Sequence, residues 1–145
     1  MDLYKGLKRY PLKVWELFKD FPVTKEGYYR VRDFQEKDNL VYRAARTLYL
    51  NRTCFKGMWR ENSNGQFNVG YGGQDRRWVV NQDTLLSVSE FLKRAKLINS
   101  DFEEVIESCI KEDFIFLDPP YKPGAKDSNI AIMFTLNLVM IATKD

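Results

Sequence analysis

Apolar positions in the first third of the chain recur at helical spacing. Val14, Trp15 and Phe18 share one face behind Pro11, a residue suited to a helix's first turn. Residues 2–19 therefore predict helix, interrupted near Pro11 and ended by Pro22. Thr24 can cap a second helix to about Lys37, with Tyr28, Val31 and Phe34 as its stripe. Asp38 or Asn39 can cap a third, "LVYRAARTLYLNR", in which Val41, Ala44, Ala45 and Leu48 follow i, i+3, i+4, i+7. The helical period then vanishes. "GMWRENSNGQFNVGYGGQDRR" is rich in Gly and Asn, with a turn signal in "NSNG" and strand character in "QFNV". Residues 57–80 read as an exposed hairpin-like region with Gly-rich loops. Asp83 is the expected cap of a further helix to about Lys96, "KLIN" a short strand, and Asp101 the cap of "FEEVIESCI". "FIFL" then reads as a buried strand. Strand, capped helix and strand make the βαβ rhythm of a parallel sheet.

Composition narrows the chemistry. The 145 residues, 44% hydrophobic and 30% charged, are enough for one domain with a real core. There is no histidine, which removes Ser-His and Cys-His nucleophile pairs, histidine bases and histidine-ligated metals. Cys54 and Cys109 match no metal or redox spacing, so no metal is expected. The first twenty residues show no signal peptide, and no apolar run reaches the roughly 18 residues of a membrane span. A reducing cytoplasm is the default setting. Charge is unevenly spread. Residues 41–77 hold seven basic residues and two acids, a net +5 within a chain of +3. With Tyr, Phe and Trp interleaved, this suits a nucleic-acid surface, or else a solvated basic face.

The candidate chemistry lies in "FIFLDPPY", residues 114–121. Prolines end strands, which accounts for Pro119 and Pro120 but not for the Asp118 and Tyr121 that bracket them. In open α/β sheets ligands bind at the carboxyl ends of strands, where Asp101 and Asp118 would both sit. Singly, each reads as structural, one a helix cap and the other a turn residue. Together on one rim they form a candidate site. An acceptor pair formed by the Asp118 carboxylate and the Pro119 carbonyl could hold both N–H bonds of a planar exocyclic amine. That would draw the nitrogen toward a tetrahedral shape, while Tyr121 offers a flat stacking face. The scheme needs no histidine and no metal. It does need an electrophile such as a sulfonium methyl group, and a base taken out of its stack.

The ordered pair of "LYLNRTCFKGMWRENSNGQFNV" and "DPPY" closely resembles the S-adenosylmethionine-dependent DNA adenine N6-methyltransferases of the Dam and D12 class, over roughly residues 1–125. The resemblance implies an α/β fold: a partial Rossmann-like methyltransferase core with a largely helical target-recognition insertion and hairpin. It implies residual core helices at 1–22, the DNA target-recognition region at 23–80 and the catalytic part of the core at 81–145. Asp118, Pro119, Pro120 and Tyr121 match the catalytic loop. Asp101 and Phe102, with Asp118, match the cofactor side, where the acid accepts from the cofactor's adenine amino group. Arg52, Lys56, Met58, Arg60, Asn62 and Asn68 fall in the part that meets double-stranded DNA, Arg60 on the arginine that reads a guanine edge and Met58 on an apolar position beside it. The implied cofactor is S-adenosylmethionine. Two departures stand out. Gly70 occupies the place of a proline common after "FNV", and no glycine-rich F-x-G-x-G loop is present. The expectation is an internal piece of such an enzyme, inactive or nearly so alone. The alternatives are a non-catalytic DNA-binding remnant or one subunit partnered by a separate N-terminal methyltransferase piece. The tail "IAIMFTLNLVMIATKD" departs from the family and reads as a late strand or as a scar of truncation or frameshift.

Overall fold

In the computed structural model, residues 1–34, 36, 38–111, 113–116 and 139–142 are described. They divide into two compact units, Met1–Arg94 and Ala95–Asp145. The first unit is built from five helices: α1 (Asp2–Arg9), α2 (Pro11–Asp20), α3 (Lys25–Asp33), α4 (Leu40–Thr53) and α5 (Gln82–Lys93). The expected break falls where Pro11 opens α2. Helix α4 is the centre. It packs on α1, α2 and α3, while α5 packs on α1 and α2. Its Ala44, Ala45, Leu48, Tyr49 and Leu50 are buried, as are Leu7, Val14, Phe18, Tyr28 and Leu92 from the surrounding helices. Small residues set the α1–α4 spacing. A Cβ built on Gly6 would lie 2.3 Å from the Ala44 Cβ, so only glycine permits this approach.

Caps fix three helix starts. The Thr24 hydroxyl accepts from the Gly27 amide at 3.0 Å, and the Asn39 carboxamide from the Tyr42 amide at 2.9 Å. The fifth helix is capped by Asn81, which accepts from the Thr84 amide at 2.8 Å. This corrects the expectation for Asp83, which is the second residue of the helix, in its first turn, where its charge favours the positive end of the helix. The helix also stops at Lys93 rather than Lys96. Helix α3 ends at Asp33, short of the expected Lys37, and Phe34 is exposed in an extended conformation. Arg46 explains the stop. Its Nε donates to the Val31 carbonyl at 2.9 Å and its Nη2 donates to that of Arg32, so the last carbonyls of α3 already have partners.

The second unit departs most from expectation. It holds β1 (Ala95–Ile98), α6 (Phe102–Glu107) and β2 (Val139–Ala142). The short strand within "KLIN" is present, but it pairs antiparallel with β2, in the register Ala95↔Ala142 to Ile98↔Val139. The tail therefore supplies a late strand. No parallel pair occurs among the described residues, and Phe114, Ile115 and Phe116 form no strand. Phe114 is 91% and Phe116 78% exposed. The buried-strand reading of "FIFL" is thus corrected for its first three residues: an apolar run becomes a central strand only when neighbouring strands bond to it, and no described strand does. The described architecture is mostly helical, without the Rossmann-like sheet that the βαβ rhythm implied. No helix among the described residues is long and apolar enough to cross a membrane.

Candidate nucleic-acid interface

Residues 54–72 run out from the end of α4 and return beside it as an irregular hairpin. It is closed by isolated antiparallel bridges, Glu61↔Phe67 and Cys54↔Tyr71. Continuous strands, which "QFNV" suggested, do not form; the pairing is local. At the base, the Phe55 amide donates to the Gly70 carbonyl and the Gly72 amide to the Thr53 carbonyl, each at 2.9 Å. A Cβ on Gly72 would lie 2.5 Å from the Cys54 carbonyl oxygen, so glycine is required for this closure. At the tip, Asn62 replaces missing ladder bonds. Its Oδ1 accepts from the Asn64 and Gln66 amides at 3.0 and 2.9 Å, and its Nδ2 donates to Gln66 Oε1 at 3.1 Å. That side chain, read as a DNA contact, has its acceptor capacity filled by the turn.

The two faces of the hairpin differ. Phe67 and Val69 are buried, and the Trp59 ring lies 4.6 Å from that of Phe67. Tyr28 of α3 anchors this face: its hydroxyl donates to the Val69 carbonyl at 2.9 Å, and its ring lies 5.4 Å from Tyr71. Strand alternation turns Met58, Arg60 and Asn68 to the other face. Met58 and Arg60 are exposed and Asn68 half-buried. Arg60 and Asn68 stand opposite each other. The Asn68 amide donates to the Arg60 carbonyl at 3.0 Å, and Arg60 Nε donates to Asn68 Oδ1 at 2.9 Å. A groove of about 290 Å³ beside them is lined by Arg32, Asp33, Asn62, Gln66, Phe67 and Asn68. Lys56 is exposed at the root, held at φ +54, a conformation that favours glycine and costs other residues about 1 kcal/mol. Arg52, in the last turn of α4, is half-buried, with its Nε buried and without a hydrogen-bond partner.

The basic segment is less available than its count suggests. Arg43 pairs with Asp2 at 2.7 Å. Arg46 caps α3. Arg77 is a clamp: it forms a two-pronged pair with Asp75, donates to the Phe18 and Phe21 carbonyls at 3.2 and 2.7 Å, and lies over the Tyr49 ring. That pairing holds the Asp75 carboxyl below its usual range. These uses were not legible from composition, which counts charges without showing their partners.

On the cofactor side, the Asp101 carboxylate accepts from the Glu103 amide at 3.0 Å as the cap of α6. Its structural reading thus holds, and as an exposed residue it keeps a second oxygen open to an exocyclic amine. The Phe102 side chain and the whole of Asp118, Pro119, Pro120 and Tyr121 lie outside the described residues.

Comparison with known proteins places this hairpin in context. Residues 1–138 match the D12 class N6 adenine-specific DNA methyltransferase family. The chain is 42% identical over 109 residues to the type II methyltransferase M.MjaIII of Methanocaldococcus jannaschii, covering 72% of this chain and 38% of that protein. It is 33% identical over 137 residues to M1.LlaDCHI of Lactococcus lactis, covering 88% and 48%. To the DNA N-6-adenine-methyltransferase of Escherichia phage P1 it is 39% identical over 132 residues, covering 85% and 17%. The chain thus spans about half or less of these relatives' own lengths. With the match running through both the hairpin and the "DPPY" corner, the chain belongs to the D12 class of N6 adenine-specific DNA methyltransferases.

Proposed function

We propose that this chain carries the target-recognition region and catalytic corner of an enzyme that moves a methyl group from S-adenosylmethionine to N6 of adenine in double-stranded DNA. Recognition would occupy residues 23–80, flanked by core segments at 1–22 and 81–145. The observation that carries the reading is the outward face of the hairpin: Met58 and Arg60 stand exposed on a scaffold pinned by Tyr28, within a segment that matches the family. An arginine fork presented from a rigid strand suits bidentate contact with guanine O6 and N7, and Met58 suits apolar contact with a base. Lys56 and Arg52 supply charge toward phosphates.

S-adenosylmethionine, when bound, supplies an electrophilic methyl on a sulfonium. The residues present fit it in part: Asp101 offers an open carboxylate oxygen to the cofactor's adenine amine while its other oxygen caps α6. The Asp118 carboxylate and Pro119 carbonyl are assigned to the two N–H bonds of the target amine, freeing its lone pair from the ring. Pro120 stiffens the corner and Tyr121 stacks on the extruded base.

A second reading, in which this chain works beside a separate methyltransferase piece, is favoured by the exposed Phe114, Ile115 and Phe116, which a neighbouring strand would cover. Binding to a panel of duplexes tests the first reading. Arg60→Ala should lose about 1–3 kcal/mol of discrimination at one base pair. Equal loss on every sequence would reduce Arg60 to a phosphate contact. Calorimetry with S-adenosylmethionine separates the two readings. Micromolar binding and methylation by the chain alone would remove the need for a second piece.

A further inference from the structure

The contact between Arg60 and Asn68 assigns the two residues different tasks. The Arg60 side chain is exposed, and its neighbours on the strand are engaged elsewhere: the Trp59 ring packs on Phe67 and its indole N–H donates to Glu61. Asn68 sits between buried Phe67 and Val69, and the Val69 carbonyl is fixed by the Tyr28 hydroxyl. The asparagine therefore stands between two buried neighbours, while the arginine side chain reaches into solvent with Asn68 beside it. The bond joining them uses Arg60 Nε and leaves both terminal nitrogens unspent. Those two form the fork that matches the O6 and N7 of a guanine. Asn62, also on the hairpin, cannot replace Asn68, because its oxygen already accepts two amides of the turn.

We propose that Asn68 is a positioning residue for base recognition, holding the edge of the Arg60 guanidinium so that its fork is aimed before DNA arrives. This role rests on the reading of Arg60 given above. Holding the side chain beforehand removes rotamer freedom that binding would otherwise have to remove, so the gain falls on the correct base and not on the phosphates.

The test uses the full chain with a randomised duplex library, together with nuclear magnetic resonance of the arginine Nε–H groups in the free protein. Asn68→Ala should flatten preference at the same base pair as Arg60→Ala, lowering the selectivity ratio about tenfold, with any fall in affinity for the pooled library smaller than that. In an Arg60→Ala background it should change nothing further. Asn68→Asp keeps the acceptor and adds a negative charge, so it should preserve the ratio while weakening pooled binding. In the free chain the Arg60 Nε–H should exchange slowly, a protection lost in Asn68→Ala and kept in Asn68→Asp. Amide spectra of both variants report whether the hairpin is still folded. Uniform loss of affinity in Asn68→Ala with an intact ratio would overturn the proposal and make Asn68 a phosphate contact. Rapid Nε–H exchange in the unchanged chain would overturn it even where base preference persists. A protected Nε–H in a chain without base preference would instead sink the reading of Arg60, and this role with it.

Discussion

Tyr28 joins α3 to the hairpin across 41 residues of sequence through one hydroxyl. Tyr28→Phe would leave the buried Val69 carbonyl without its partner, at a cost of about 1–3 kcal/mol. Urea unfolding measures that cost, and a change under about 0.5 kcal/mol would mean that water takes over the bond. The same burial raises the Tyr28 phenol well above its usual value and pushes Tyr49, whose hydroxyl donates to the Pro22 carbonyl, up to about 12. Both groups hold their protons more tightly when folded. Their contribution is therefore fully present below the ordinary tyrosine pKa of 10.0 and is lost as pH rises through the folded values. Stability should be level with respect to these groups up to about pH 10 and fall between there and 12. Denaturant midpoints across that window check the sign, and Tyr49→Phe should make the fall shallower. The hydroxyls were not legible as anchors in the sequence. Tyr28 stood there only as one member of an apolar stripe, because periodicity reports which face is buried and not where a polar tip ends.

At the scale of elements, the sequence disclosed starts better than ends and pairings. Thr24 and Asn39 cap as expected because capping is local: the acceptor and its amide lie three residues apart. The end of α3 was illegible because Arg46, from α4, ends it. Asn81 outcompetes Asp83 because cap choice depends on backbone entry angle, which residue type alone does not reveal. The hairpin itself was legible from "NSNG" and its flanks, yet its loss of continuous strands was not, since the turn is built from the Asn62 side chain. Interior use of charge also alters an expectation. With Arg43, Arg46 and Arg77 engaged by other protein groups and Arg60 assigned to a base edge, Arg52, Lys56 and Arg76 remain of the basic segment for phosphates. Each phosphate neutralised on duplex DNA contributes about −0.9 to the slope of log affinity against log salt. The slope for this segment should lie near −3, and a value near −5 from titrations at several salt concentrations would show that Arg43, Arg46 and Arg77 also reach DNA. Arg77→Ala should act differently, costing about 2–3 kcal/mol of stability because it strips partners from Asp75 and two carbonyls, with little change in that slope.

At the scale of the whole molecule, local rhythm and sheet context part company. The βαβ reading of residues 96–117 followed correct local signals, since β1 and α6 both form. Whether strands run parallel depends on which segments meet, and the meeting of β1 with Val139–Ala142 in an antiparallel register is a long-range choice that no window of the sequence contains. The helical unit has no such dependence. Its core residues, from Leu7 and Val14 through Tyr28, Tyr49 and Leu50 to Leu92, all fall within Met1–Arg94, and the packing of α1, α2, α3 and α5 around α4 or one another lies within the same span. The hairpin and its Tyr28 anchor lie there too. A chain ending at Arg94 should therefore fold by itself, with a cooperative thermal transition and the amide dispersion of a packed core. It should also keep whatever base preference Arg60 confers, because nothing in that assignment draws on residues beyond α5. The assay is a thermal melt of residues 1–94 followed by binding to the duplex panel used for the longer chain. A broad, non-cooperative melt would show that the helices need residues 95–145 to close their core. A sharp melt with lost preference would place part of the DNA-reading surface after Arg94.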